Sequence, residues 1–226
     1  MVEAATEWSG IAKRSSEEIL EIAGRLRHPD DLTAKSAKDT ASARAQFTQL
    51  LRNKPNKPIP DFLQTVMSGT AQALSREETI AAMLNESSPQ VGEWPATAPG
   101  SPGLSVASGL NGGPLPVAHV ILIPTKDWTT VPAHLNWGNW NGCPAPEYHV
   151  AALRAWRDRF GAELVGLSHD VMNLRVARKP ATRTEALDLA HEHYTYCPDV
   201  VDQGVGTLSE LAAALMENDW WYFWWD

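Results

Sequence analysis

Cys143 and His149 are the two residues of this 226-residue chain best suited to chemistry. Cys143 stands just before a helix expected to start at Pro144 or Ala145. The macrodipole and the free N–H groups of a helix start stabilise a thiolate. His149 falls about one and a half turns into that helix, and Asn141 lies two residues ahead of the cysteine. Nucleophile, base and orienting amide together would support covalent catalysis. The plainer alternative packs Cys143 as a small apolar residue beside Trp140, with His149 hydrogen-bonded nearby. The spacing matches no protease or transferase signature. Cys197 ends a later helix, where the dipole opposes a thiolate. Cys143, His149, Cys197 and His193 include zinc-type ligands. There is no CxxC, however, and His191 and His193 point to different sides of their helix. No metal or other cofactor is expected, and a Cys143–Cys197 disulfide would need the fold to bring the two together.

A second group of residues suits binding. The stretch from Lys126 to Cys143 is long for a loop in a compact domain, which favours function. It carries Trp128, His134, Trp137, Asn139, Trp140 and Asn141, flat rings mixed with amide donors and acceptors. Tryptophan anchors dominate the energetics of protein interfaces. The alternative is that these rings fold back onto the sheet. Asp199, Asp202 and Gln203 sit in a polar turn with Gly204 and Gly206. They would either face a ligand or bond the local backbone, and turn chemistry favours the second.

The elements that must position these residues fall into two unlike halves. Residues 1–86 read as helical. Ser15 to Glu18 and Ser75 to Glu78 are capping boxes, a helix spans about Asp39 to Arg52, and another starts near Pro60. Residues 87–116 are rich in Pro and Gly and read as a linker. Residues 117–226 form an α+β domain. Val117 to Ile123 reads as a buried strand by its β-branched content. Val150, Leu153, Trp156 and Phe160 give the helix after Cys143 one apolar face. Glu163–Ser168 and Met172–Ala177 read as strands. Thr182 to Glu185 and Thr207 to Glu210 cap two further helices, ending near Tyr196 and Glu217. The chain closes on Trp220-Trp221-Tyr222-Phe223-Trp224-Trp225-Asp226, read as a last, edge strand with rings on both faces. The order β-α-β-β-α-α-β is the ferredoxin-like one. An edge strand apolar on both faces must be covered, by the N-terminal helices or by a second copy.

Composition narrows the partners. Net charge is −8, which argues against nucleic acid or an anionic membrane as the main partner. The longest clean apolar run, Val120 to Pro124, is far too short to span a bilayer. The first residues lack the pattern of a signal peptide, and two cysteines make no disulfide framework. A cytoplasmic setting is expected.

Five stretches together resemble an uncharacterised bacterial family, domain of unknown function 4253 (DUF4253). They are Gly138 to Pro144, His149 to Ala151, Tyr196 to Asp199, Gln203-Gly204 and Trp221 to Asp226. The resemblance covers about residues 117–226 and implies a fold unit with no assigned reaction. Two functions stay open. The first is a bacterial binding or interaction protein, engaging a protein partner or a second copy through the Trp-rich loop or a sheet edge. An immunity-like role fits small acidic bacterial proteins by analogy. The second is an enzyme using Cys143 and His149.

Overall fold

The computed structural model describes residues 14–53, 89–108, 113–117 and 119–225. The chain divides into two compact units, Met1–Leu32 with Pro89–Asp226, and Thr33–Ser88. This division does not follow the expected boundaries at residues 86 and 116. In the smaller unit, the described residues belong to helix α2 (Asp30–Asn53). That helix begins earlier than its apolar pattern suggests. Asp30 and Asp31 occupy its first turn, and Asp31 accepts a bond from the Arg27 amide at 2.6 Å. Acidic groups there complement the helix dipole. The helices expected near Pro60 and Ser75 lie outside the described residues.

The larger unit has α+β structure. Helix α1 (Ser16–Ala23) starts on the predicted cap, with the Glu18 amide donating to Ser15 Oγ at 3.1 Å. Next come a short helix α3 (Val131–Leu135) and the long helix α4 (Pro146–Phe160), with Pro at its start and Gly161 in the left-handed region at its end. Strands β1 (Glu163–Leu167) and β2 (Val171–Arg175) follow. Helices α5 (Arg183–Tyr196) and α6 (Leu208–Glu217) begin on the predicted threonine caps, and β3 (Trp220–Trp224) closes the sheet. A π-helical turn at Val200–Val205 joins α5 to α6.

The sheet is antiparallel, in the order β1-β2-β3. Phe223 stands opposite Met172, and Trp221 opposite Leu174. The tail is thus the edge strand expected, but its neighbour is β2 directly. A ferredoxin-like sheet needs a fourth strand, and none of the described residues of the predicted one at 117–123 lies in a strand. Val117, Val120, Ile121 and Leu122 lie outside any strand, with Val120 92% and Leu122 93% exposed. β-Branched content marked this run as strand-forming, but content alone does not say what the run pairs with.

Period-two alternation divides the tail's rings. Trp221, Phe223 and Trp225 are buried, while Trp220, Tyr222 and Trp224 are half-buried on the other face. The buried set meets Leu153, Trp156 and Phe160 of α4, Leu189 and Tyr196 of α5, and Leu208 and Leu215 of α6 in one core. Trp156 stacks on Phe223 at 5.4 Å.

The Pro/Gly-rich stretch is bonded to this unit along much of its described length. The Leu208 amide donates to Gln90 O and the Ser209 amide to Val91 O. Asn218 Nδ2 donates to Pro99 O at 3.0 Å. The fully buried Asn173, on the sheet's second face, accepts from the Val106 amide at 3.0 Å and exchanges bonds with Ser105. A Cβ on Gly166 would collide with Val106 there, so glycine admits the strap. Proline and glycine mark irregular backbone, and irregular backbone can still be tied down by its carbonyls.

Replacing Phe223 with Ala should cost about 3–5 kcal/mol, the range for emptying a buried aromatic site. Trp220→Ala should cost much less. Urea unfolding of the two variants checks the ordering. Deleting the last three residues should unfold the unit; a cooperative melt from that truncation would contradict the packing role of Trp225.

Candidate functional site

Cys143, His149 and Tyr196 meet inside the larger unit. Cys143 Sγ lies 3.4 Å from His149 Nε2, and His149 Nδ1 lies 2.5 Å from the Tyr196 hydroxyl. The orienting partner is therefore Tyr196, from the last turn of α5, and not Asn141, which is exposed. The Tyr196 hydroxyl also donates to Met172 Sδ at 3.5 Å. Sequence reasoning quoted Tyr196 only as part of a motif. Its place beside Cys197 at a helix end was the available signal.

The site is sealed. Cys143 is 5% exposed, and His149 and Tyr196 are fully buried. Burial pushes the Cys143 thiol well above its ordinary range, overriding any help from the nearby start of α4. Burial also drives His149 down to about 3. At neutral pH the pair is thiol and neutral imidazole, not thiolate and imidazolium. Cys197, pushed up to about 12 by burial, gives its S–H to the Trp224 carbonyl at 2.9 Å. This bond and the π-helical turn lie against the tail strand. A Cβ on Gly204 in that turn would come within 3.4 Å of the Trp224 ring.

The loop above the pair is tightly wound. Asn136, Asn139 and Asn141 have positive φ, as do Gly138 and Gly142. Asparagine tolerates the left-handed region better than most residues, which explains the asparagines here. A Cβ on Gly138 would strike Pro144 O and His149 Nε2, so the loop backbone lies directly on the imidazole. Trp137 is the anchor. It is buried, donates from Nε1 to Ser168 O at 2.8 Å, and packs on His149 at 4.7 Å and Trp225 at 5.6 Å. Trp140 is half-buried, tilted over His169 at 5.4 Å. Trp128 is half-buried in a 3₁₀ turn capped by Asp127, and His134 is half-buried on α3. Only Asn139, Asn141 and Gly142 of the loop tip are exposed.

The remaining candidates stand apart from Cys143 and His149. Tyr194 donates to Asp202 at 3.2 Å, and Gln203 to Asp199 at 3.0 Å, so their turn is bonded to itself. His193 is wedged against Trp221 and Phe223. Among the described residues, no group of three or more His, Cys, Asp or Glu side chains is arranged to hold a metal. No helix there is long and apolar enough to cross a membrane.

N-terminal residues support the site. Arg14 grips Glu147 of α4 through both carboxylate oxygens, at 3.0 and 2.5 Å. Ile19 and Ala23 of α1 pack with Ala133 and Val150. A buried carboxylate, Glu192, accepts from Trp156 Nε1 at 2.5 Å and Arg159 at 2.6 Å. His28 Nε2 stands 2.9 Å away, near enough for an ion pair but poorly aligned for a hydrogen bond. Burial alone would raise the Glu192 carboxyl. His28 and Arg159 outweigh it and hold the carboxyl at about 2. Burial lowers His193 to about 3.

These shifts predict acid sensitivity. His149 and His193 titrate near 6.5 when unfolded and only near 3 when folded. Between those values the unfolded state takes up the protons, so stability falls with pH. Glu192 adds to the loss below about 4.5, as pH falls towards its folded value of about 2. The urea midpoint should drop between pH 7 and pH 5, and less so in His193→Gln. An unchanged slope in that variant would remove His193 as a cause.

The search of curated proteins and the search of solved structures each returned no match. Five of the residues the resemblance rested on, Gly138, Cys143, His149, Tyr196 and Trp225, nevertheless meet around the His149 ring. Residues 119–226 match the family model described as Domain of unknown function (DUF4253).

Proposed function

We propose that the protein is a non-catalytic binding protein, and that the Cys143–His149–Tyr196 cluster is the rigid base of its recognition loop. One observation carries this reading: the Cys143–His149 pair is buried and neutral, while the loop fastened over it turns amide side chains outward. A loop locked by Trp137 and by five positive-φ residues loses little entropy when it binds. Exposed Asn139 and Asn141 offer paired donors and acceptors, and half-buried Trp140 offers an adjoining flat ring. The net charge of −8 suits a protein partner with a basic face. The immunity-like role belongs to this reading as one kind of partner neutralisation.

The variant that tests it replaces Asn139 and Asn141 with Gly. Glycine keeps the left-handed backbone and removes both amides. Melting should be nearly unchanged, and capture of the native partner from its host should fall at least tenfold. Cys143→Ser should bind normally. The reverse pattern overturns the proposal.

The 3.4 Å Cys143–His149 contact favours a second reading, a Cys–His enzyme opened by movement of the loop. Thiol reactivity separates the two. With iodoacetamide in native buffer, both cysteines should label no faster than the protein unfolds. Rapid, selective labelling of Cys143 would instead favour the enzyme.

A further inference from the structure

Residues 119–123, His-Val-Ile-Leu-Ile, are a strand-forming segment without a ladder. Val120 is 92%, Ile121 61% and Leu122 93% exposed. Large apolar side chains massed in water mark an interaction site. Just beyond, the chain is fastened down. Thr125 Oγ1 bonds to Asp127 O at 3.1 Å and to Thr130 Oγ1 at 2.9 Å, and Asp127 pairs with Arg157 at 3.3 Å. The segment is therefore held at one end while its own backbone groups enter no sheet.

The same unit has an edge of matching length. β1 (Glu163–Leu167) is five residues long, carries a bulge between Leu164 and Gly166, and among the described residues pairs only with β2 and ends the sheet. Its Val165 is 44% exposed. An open edge of this kind is a template for another strand. The ends match in charge as well as length. Lys126 follows the apolar run, Glu163 opens β1 and Asp170 lies just beyond it, all three exposed.

We infer that residues 119–123 of one chain add as a fourth strand to the β1 edge of a second copy, reciprocally, giving a two-fold dimer. Donor and acceptor lie on one chain, so a second copy satisfies both at once with closed symmetry. Reciprocal exchange pairs two donor strands with two acceptor edges, which doubles the surface that a single strand addition would bury. The residues substituted to test the dimer differ from those substituted to test the binding role proposed above, so the two can fail independently.

Sedimentation of the full chain at micromolar concentration should show a dimer. Leu122→Asp should convert it to a monomer with an unchanged melting profile, because that side chain is nearly fully exposed in the single chain. Val165→Pro, which blocks the edge, should do the same. A short bismaleimide then identifies the pairing, since Cys143 and Cys197 are buried. Leu122→Cys chains mixed with Val165→Cys chains should cross-link to twice the monomer mass. A wild-type chain that stays monomeric overturns the inference. So does a Leu122→Cys, Val165→Cys double variant that cross-links within one chain, which would show the strand closing on its own sheet.

Discussion

The pairing of β3 with β2 is the constraint on which the rest depends. With Phe223 opposite Met172, alternation leaves Trp221, Phe223 and Trp225 no direction but the core. All three rings reach α4 and α5, and the last adds the loop. Trp221 meets Trp156 and Phe160 of α4 and His193 of α5. Phe223 stacks on Trp156 and abuts Tyr196. Trp225 touches Trp137, His149 and Tyr196, so the last buried ring sets the floor of the loop. A one-residue slip would expose all three rings and dismantle the site with the core.

Such a core pays in polar groups. The buried Nε1 atoms of Trp140, Trp221 and Trp225 have no hydrogen-bond partner among the described residues. Each unsatisfied donor costs about 1–3 kcal/mol, against a larger gain from burying an indole. Glu192 is handled differently: Trp156 and Arg159 of α4 donate to it, and His28 stands within ion-pair distance. Through His28, the carboxylate ties the chain before α2 to α4 and α5. Neutralising Glu192 alone would leave Arg159 and His28 facing each other, and for that reason a buried ion cluster fixes position more than it adds stability.

Much of this was legible in the sequence where the signal was local. The caps at Ser15, Thr182 and Thr207 all hold helix starts in the structure, because capping needs only residues three apart. The tail's alternation was readable for the same reason. What failed depended on distance along the chain. Residues 117–123 carried strand propensity but not the identity of a partner edge. The strap at 89–108 looked like a linker because its attachments run to Asn173, Ser209 and Asn218, remote in sequence. At the site, Cys143 and His149 are six residues apart in sequence and 3.4 Å apart in space, a local contact. Tyr196 was missed as the orienter because only the packed fold brings the end of α5 to the ring of His149.

The cluster of signature residues also bears on what such signatures mean. Chemistry would require Cys143 to reach water or substrate and His149 to take its proton, and burial works against both. A structural account needs neither. Gly138 is required because a side chain there would strike His149, Cys143 because the space beside the imidazole is small, and Tyr196 because Nδ1 must have a partner in a dry interior. Each residue is then explained by the packing of its neighbour, starting from Trp225. The motif marks the rigid side of the loop, and residues that read a partner belong on its outward side, where Asn139 and Asn141 stand.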